Sequence, residues 1–321
     1  MGLSPSAPEG NKTVLPLSAP VGYTRRVMDD SGLRIFAPGG ACAAQPGRPL
    51  PAADVDIGVV YTYERQFMPP LLSSLAISGE DLDLRLILVD NASSDGAEQW
   101  CGQFPQTVVL RNDRRLHYAA NLNRVLAVAT SAYVLLLNTD MYFDPRQQCV
   151  AEMVRFMESH PDCGLAGCRL YRADGSLIPS GRRFQTLPVI LATRVGPRRW
   201  FRRTLDRYLC ADQPVGQPRA CDWIPGCFLM IRRSALEHVG GLDAEFIKYF
   251  EDVDLCLRMR LAGWRVMYHG GTFCYHLEQR ASRRIFSVDA YLHLRSYLRW
   301  IRKWGLAPRR LADESAVGRA G

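Results

Sequence analysis

YVLLLNTD, the stretch Tyr133–Asp140, runs from a short apolar segment into three polar residues. An uninterrupted apolar run of this length is typical of a strand that is buried on both faces, as in a parallel sheet. The step Asn138-Thr139-Asp140 then ends the strand. Asn and Asp are common in turns, but the carboxyl ends of strands in open α/β sheets are also where ligands bind. The neighbouring parts of the chain decide between a turn and a binding site.

Three similar apolar segments precede this one, and they are DIGVVY (56–61), LRLILVD (84–90) and TVVL (107–110). Helix-like segments separate the strands, at 67–77, 96–103 and 119–129. Strands that alternate with helices predict an α/β fold with a mainly parallel, doubly wound sheet and helices on both faces. Asp90 and Asp140 are therefore expected at the same carboxyl edge of that sheet.

The pattern of the second half of the chain predicts four more elements. These are a helix at 147–159, a strand at 164–170, a helix at 251–261 and an amphipathic helix at 291–304. In the last helix, Leu294, Leu298, Ile301 and Trp304 share one face at helical spacing. Gly305 is a natural helix stop. The Arg-rich stretch 182–220 contains four Pro residues and has no clear period, so it is interpreted as a loop or lid.

These patterns divide the chain into three parts. Residues 1–53 are rich in Pro, Gly, Ala and Ser and predict an N-terminal extension or linker with a short strand at 33–36. Residues 54–280 form the predicted α/β domain. Residues 281–321 form a basic amphipathic helix and a tail.

The net charge of +8 is concentrated in two segments. Residues 194–207 carry six Arg and one Asp, and residues 280–310 carry nine Arg or Lys and one Asp. Basic residues on one irregular segment and one amphipathic helix suit an anionic membrane surface better than nucleic acid. The alternative that the helix packs its apolar face on the domain, with its Arg residues in solvent, remains open.

The ten cysteines include no CxxC pair and lie largely in apolar, periodic segments, which predicts reduced core thiols and a cytoplasmic protein. No apolar run approaches the ~18 residues of a transmembrane helix. The first residues lack the apolar region of a secretory signal. We therefore expect a cytoplasmic protein, peripheral on the cytoplasmic face of the membrane if the basic helix binds lipid.

Several acidic side chains lie where they could do chemistry. Asp90, in VDNASSDG (89–96), either starts a turn before a capped helix or contacts the base or ribose of a nucleotide. Asp140 is a hard oxygen ligand suited to Mg²⁺ or Mn²⁺.

In FEDVDLCLR (250–258) the acids either complement the helix dipole or include a general base, for which Asp252 is the choice. His276, at the end of a strand-like run, is a plausible second metal ligand, with His269 as a competitor.

The order of these motifs carries more information than any one of them. Between residues 56 and 276 the motifs come in a definite order. They are a strand with DNASSDG, a strand with NTD, then WIPG, GGLDAEF, EDVDLCLR, AGW and a strand with His. This succession resembles the inverting nucleotide-sugar glycosyltransferases of family 2, which have the GT-A fold, and especially their rhamnosyltransferase-like branch.

The resemblance implies specific roles. Asp252 would be the catalytic base, and Asp140 and His276 would hold Mg²⁺ or Mn²⁺. The implied donor-binding residues are Asp90, Asn91, Asp95, Asn123 and Asn138. The implied acceptor-binding residues are Trp223, Gly226 and Glu251.

The implied reaction is inverting transfer of a sugar from a nucleotide-diphosphate sugar, such as dTDP-rhamnose or a UDP-sugar, to an acceptor hydroxyl. The acceptor would be a glycan, a lipid-linked sugar or a small molecule, and a homodimer is also expected. Glu64 and His117-Tyr118 depart from the usual pattern, which bears on the identity of the donor. A non-catalytic nucleotide-sugar-binding scaffold and a metal-dependent nucleotidyltransferase are the alternatives.

Overall fold

The short apolar segments of the sequence form strands of one twelve-stranded sheet. The computed structural model of the protein describes residues 33–36, 42–43, 52–104, 106–194, 199–277, 288–306 and 308. The strands are β1 (Leu33–Phe36), β2 (Cys42–Ala43), β3 (Val55–Tyr61), β4 (Leu84–Asp90), β5 (Thr107–Arg111), β6 (Tyr133–Leu137), β7 (Met141–Tyr142), β8 (Cys163–Tyr171), β9 (Leu177–Ile178), β10 (Arg219–Ala220), β11 (Phe228–Arg232) and β12 (Arg265–His276).

Eight α-helices are described, namely α1 (Met68–Ser78), α2 (Tyr118–Val128), α3 (Cys149–Ser159), α4 (Leu187–Arg194), α5 (Arg202–Tyr208), α6 (Arg233–Val239), α7 (Glu251–Leu261) and α8 (Val288–Trp304). The predicted helix at 96–103 is instead a 3₁₀ segment, Ala97–Gln103. Gly96 precedes it with φ 77°, a left-handed conformation that glycine adopts without strain.

The strand order is β10-β12-β8-β11-β6-β3-β4-β5-β1-β2. The run β6-β3-β4-β5 is parallel throughout, as predicted. The other half makes the sheet mixed, because β11 lies antiparallel between β6 and β8. The predicted strand at 33–36 is present as β1 and pairs antiparallel with β5.

Helices cover both faces of the parallel strands, so all residues of β4 and β6 are buried. One apolar cluster includes side chains of α1 and α3, and the other includes side chains of α2 and α7. At Gly58 in β3, a Cβ atom would lie 2.5 Å from Cγ1 of Val125 in α2. The close packing of α2 on the sheet therefore depends on a glycine at this position.

The register of the strands assembles one polar edge. Tyr61 pairs with Asp90 across β3 and β4, and Leu137 of β6 pairs with Val59 of β3. The carboxyl ends of these strands thus lie side by side, and Asn138 and Asp140 follow β6 directly. This arrangement agrees with the sequence prediction for the edge.

The stretch 182–220 was interpreted as a loop or lid, and its described part is irregular only outside two short helices and one short strand. It contains the helices α4 and α5, and residues 195–198 lie outside the described residues. Pro188 is the second residue of α4, where a missing N–H costs no helical hydrogen bond. Pro188 therefore does not prevent α4 from forming.

Helix α8 is present, but only part of its predicted apolar face packs on the domain. Tyr297 and Trp300 are buried against the domain, whereas Leu294 and Leu298 are 55% and 57% exposed. Trp304 Nε1 donates to Asp254 Oδ1 at 2.8 Å. The helix carries two apolar stripes, and this polar contact helps to decide which of them faces the core.

The nine cysteines whose side chains are described are all free and buried, as expected for reduced thiols. Within the described residues, no helix is both long and apolar enough to cross a bilayer. Most of the predicted N-terminal extension and the C-terminal tail from residue 309 onward lie outside the described residues.

Candidate active site

A cavity of about 870 Å³ opens at the carboxyl edge of the sheet. Its wall contains five of the residues predicted for the site, and these are Asn138, Trp223, Gly226, Glu251 and Asp252. They come from the end of β6, the segment before β11 and the first turn of α7. The volume lies within the range of small-molecule sites.

Asp252 is held in place by main-chain donors. The N–H groups of Gly226 and Val253 donate to its two carboxylate oxygens, each at 2.8 Å. Burial raises the pKa of Asp252, and these two hydrogen bonds oppose the shift. A Cβ atom on Gly226 would lie 3.4 Å from Asp252 Oδ2, which is an ordinary van der Waals contact, so the hydrogen bond does not require glycine at this position.

The backbone before α7 is strained. Tyr249 and Phe250 have φ angles of 70° and 72°, although neither is glycine. Such left-handed residues cost free energy and cluster at functional sites. Here they turn the chain so that Glu251 and Asp252 begin the helix at the cavity wall.

Glu251 is the second carboxyl group at this wall. It is 7% exposed, and its buried Oε2 atom has no hydrogen-bond partner. Burial, together with the charge of Asp252, raises the pKa of Glu251 to about 8. Glu251 therefore keeps its proton at neutral pH, while the main-chain donors favour the charged form of Asp252.

Asp140 and His276 form the second polar centre. Nε2 of His276 lies 3.2 Å from Oδ1 of Asp140. Strand β7 pairs with the end of β12, placing Met141 opposite His276. Burial lowers the pKa of His276, but hydrogen bonds to Asp140 and Cys227 outweigh this and raise it to about 10. The competing His269 stacks on Phe156 of α3 instead, with ring centroids 4.3 Å apart.

The Asp140 carboxylate suits Mg²⁺ or Mn²⁺, and the His276 imidazole can serve as a second ligand once a bound metal displaces its proton. Glu64 adds a third polar group in this region. Burial raises the pKa of Glu64, and the charge of Asp140 adds to this shift. The residues present therefore fit the predicted divalent metal.

Tyr118 lines the cavity and was not predicted as a site residue. Its hydroxyl donates to Asn138 Oδ1 at 2.8 Å. Burial raises its pKa well above the usual value, and the charges of Glu251, Asp252 and Asp140 add to the shift. The hydroxyl therefore lies within the electrostatic reach of all three carboxyl groups.

The predicted donor residues of β4 and the following loop are already bonded within the protein. Asp90 is 1% exposed, and its Oδ1 accepts from the N–H of Ser93 at 2.8 Å. Asn91 bonds through both of its side-chain atoms to the main chain of Leu116. Asp95 accepts a hydrogen bond from the Tyr61 hydroxyl.

Asn123, like Asp90, Asn91 and Asp95, lies away from the lining of the cavity. Its side-chain amide bonds to both the N–H and the C=O of Leu242, each at 2.8 Å. It does not line the cavity described above, and it ties α2 to the segment before α7. Its contact with the donor stays a prediction.

Arg182, Lys248 and His293 also line the cavity and were missed. The guanidinium of Arg182 lies 4.9 Å from the centre of the Trp223 ring, and its positive charge lowers the pKa of Asp252 against the effect of burial. Its place in an irregular Arg-rich stretch carried no distinguishing signal in the sequence.

Residues 57–240, more than half of the chain, match the family model "Glycosyl transferase family 2". The chain belongs to glycosyltransferase family 2. It is 30% identical over 217 residues to an N-acetylglucosaminyl-diphospho-decaprenol L-rhamnosyltransferase of Mycobacterium tuberculosis, spanning 61% of this chain and 67% of that one. It is 24% identical over 258 residues to the rhamnosyltransferase WbbL of Escherichia coli, spanning 77% and 92%.

The fold of this family 2 glycosyltransferase agrees with a solved structure. The mannosyltransferase PcManGT from Pyrobaculum calidifontis, in complex with GDP-Man and Mn²⁺, superposes with a TM-score of 0.50. The match covers 84% of this chain and 76% of that one at 18% identity. The predicted GT-A fold, the rhamnosyltransferase-like resemblance and the assignment as a glycosyltransferase are thus confirmed.

Proposed function

We propose that this glycosyltransferase moves a sugar from a nucleotide-diphosphate sugar to an acceptor hydroxyl with inversion, using Asp252 as the general base. The observation that carries the proposal is a single cavity whose wall contains both Asp252, oriented by two main-chain N–H groups, and Asn138, at the carboxyl end of β6. A candidate base and a candidate diphosphate site therefore share one edge of the sheet.

In the proposed reaction, Asp252 accepts the proton of the acceptor hydroxyl as its oxygen forms a bond to the anomeric carbon. The bond from that carbon to the diphosphate breaks on the opposite side, so a single displacement inverts the configuration. The N–H groups of Gly226 and Val253 keep the carboxylate oriented. The protonated Glu251 has a free Oε2 position that can hydrogen-bond to the acceptor.

Asp140 and His276 would hold the divalent metal, whose positive charge would stabilise the diphosphate leaving group. The pairing of β7 with β12 places these two side chains together before any ligand binds. The PcManGT structure contains Mn²⁺ with its nucleotide sugar. This supports a divalent ion in the present protein.

For the donor we propose a dTDP-rhamnose-like sugar or a UDP-sugar, and the two rhamnosyltransferase relatives support the first. Asp90, Asn91, Asp95 and Asn138 would form the nucleotide and sugar side of the site. The Mycobacterium tuberculosis relative is named for a diphospho-decaprenol acceptor. We therefore propose a lipid-linked sugar as the acceptor.

A transfer assay tests this proposal. Purified protein is incubated with a panel of nucleotide sugars and a polyprenyl-diphosphate-linked sugar, with Mn²⁺ or with a chelator. We expect a product with inverted anomeric configuration, and its formation should require the metal.

Asp252→Asn should abolish transfer but keep donor binding, whereas Asp140→Ala should weaken both. Full activity of Asp252→Asn would rule out the base assignment, and donor binding without turnover on the whole panel would favour the scaffold alternative.

We also propose that α8 attaches the enzyme to the cytoplasmic face of a membrane. Its outer surface carries Val288, Tyr291, Leu294 and Leu298, which are between 55% and 76% exposed. Exposed Arg residues flank this stripe at 295 and 302. Apolar side chains beside basic ones suit the interface of an anionic bilayer. The inner side of the same helix contributes Leu292 and His293 to the active-site cavity, so a lipid-linked acceptor could enter beside the stripe.

Vesicle flotation tests the attachment. The wild type should float with vesicles that contain phosphatidylglycerol and much less with pure phosphatidylcholine. The double substitution Leu294→Glu and Leu298→Glu should reduce flotation. Ile77→Glu, at an exposed apolar position on α1, is the matched control and should leave flotation unchanged. Equal flotation of all three proteins would contradict the proposal.

A further inference from the structure

A second cavity, of about 520 Å³, lies next to the active-site cavity. Residues 182–185 contribute to the walls of both. Arg182 and Gln185 line the active-site cavity, whereas Arg183 and Phe184 line the second one. The main chain here is tied to the neighbouring segment, since the N–H of Arg182 donates to the Trp223 carbonyl at 3.1 Å. The two cavities therefore share one ordered wall.

The second cavity is mostly apolar inside. Phe184, Val189 and Tyr208 are buried in its wall, and Leu306, after the end of α8, is 59% exposed at its rim. Helices α4 and α5 supply much of the remaining lining. A largely apolar cavity of this size is within the usual range for binding a small molecule.

The opening of this cavity is basic. Arg203 and Arg207 lie one turn apart on α5, so they share a face of that helix, and both are exposed. Among the described residues, neither takes part in an ion pair. The acid of the same helix, Asp206, lies 3.6 Å from Arg202 on another face.

The one acid in the lining is already neutralised. Asp222 is fully buried, forms an ion pair with Arg260 and lies 3.8 Å from Arg183. It also accepts from the N–H of Phe184 at 2.9 Å. The cavity therefore combines an apolar interior with an excess of positive charge, which an apolar chain attached to a phosphate would complement.

We propose that this second cavity binds an anionic amphiphile, with the chain against Phe184, Val189 and Leu306 and the phosphate at Arg203 and Arg207. The proposal deepens the proposed function and rests on it for the identity of the amphiphile. With a lipid-linked acceptor, the sugar occupies the active-site cavity while the phosphate and the start of the prenyl chain lie across the 182–185 wall.

Calorimetry on the full chain tests binding directly, with farnesyl diphosphate as the probe and no nucleotide sugar present. The wild type should bind it, and Arg203→Glu with Arg207→Glu should weaken binding about tenfold or more, because two charged hydrogen-bond donors are lost. Val189→Trp, which fills the cavity, should weaken binding as well. Arg202→Glu, 83% exposed on the other face of α5, is the matched control and should bind like the wild type.

Short-chain phosphatidylglycerol is the second probe, and it distinguishes a lipid-linked acceptor from a membrane phospholipid as the natural ligand of the cavity. Weak binding of the phospholipid beside tight binding of farnesyl diphosphate supports an acceptor subsite, and tighter binding of the phospholipid identifies the ligand as a membrane lipid. Equal affinity of the wild type and both cavity variants for farnesyl diphosphate, at unchanged melting temperatures, would overturn the proposal. Failure of the transfer assay alone would leave this binding result intact.

Discussion

At the scale of single residues, the site depends on main-chain and side-chain groups that keep a few carboxyl groups oriented. Asp252 is oriented by two N–H groups, and Asn138 by the Tyr118 hydroxyl. The Tyr118 hydroxyl bonds to Asn138 Oδ1 and not to the amide nitrogen, which can therefore donate to a nucleotide sugar. The effects of substitutions here should appear in catalysis before they appear in stability.

Tyr118→Phe removes only this hydroxyl. We expect an increase in the KM for the nucleotide sugar of about tenfold, as for the loss of one hydrogen bond of ~1 kcal/mol or slightly more. The melting temperature should change little, because the ring remains. Tyr291→Phe, at an exposed position on α8, is the control. An unchanged KM in Tyr118→Phe would show that Asn138 is oriented without it.

Glu251 gives a prediction for the pH dependence of stability. Its pKa in the folded protein is about 8, above the ordinary 4.5, so the folded state binds the proton more tightly than the unfolded state. The free energy of unfolding should therefore fall as pH rises from about 5 to 8, by at most ~1.4 kcal/mol per pH unit from this group.

Glu251→Gln should remove that contribution, so that the variant gains stability relative to the wild type between pH 5 and pH 9. Urea denaturation at both pH values measures the difference. Glu245→Gln, on an exposed side chain, should show a much smaller change. A difference between Glu251→Gln and the wild type that is the same at pH 5 and pH 9 would contradict the raised pKa.

At the scale of elements, α7 and α8 form one unit that carries both the base and part of the acceptor wall. Asp254 of α7 is fully buried, and it accepts from Arg258 within its own helix and from Trp304 of α8. Lys303 lies 2.7 Å from the same carboxylate. The third acid of EDVDLC thus serves to dock α8, while the second serves the proposed chemistry.

Asp254→Ala should destabilise the protein by about 3–5 kcal/mol, because it leaves buried donors and cations without their anion. Asp206→Ala, which breaks a pair on the surface of α5, should cost less than about 1 kcal/mol. Chemical denaturation measures both. Equal small losses would mean that apolar packing alone docks α8.

At the scale of the whole molecule, α2 must lie close to the sheet for Tyr118 to reach Asn138. Gly58 permits this contact, since a Cβ atom there would lie within 3 Å of side chains from both α2 and β6. The glycine thus links the packing of the sheet to the position of the donor site.

Gly58→Ala should destabilise the protein by about 1–3 kcal/mol through overpacking and should also lower the affinity for the donor by displacing α2. Gly102→Ala, where a Cβ atom meets no atom within 4 Å, is the control and should be close to neutral. Thermal unfolding and donor titration together measure the two effects. A stable Gly58→Ala variant with normal donor affinity would show that the helix can adjust.

The sequence by itself determined the parallel half of the sheet, because strands buried on both faces need uninterrupted apolar runs such as VLLL. It also placed Asp90, Asn138 and Asp140 at strand ends, where the change from apolar to polar residues is visible locally. Only the tertiary structure decided which distant groups meet these ends. His276 reaches Asp140 through the pairing of β7 with β12, and Arg182 reaches Trp223 through a bridge between irregular segments. Register and docking are set by contacts between residues far apart in the chain, and one sequence records no such contacts.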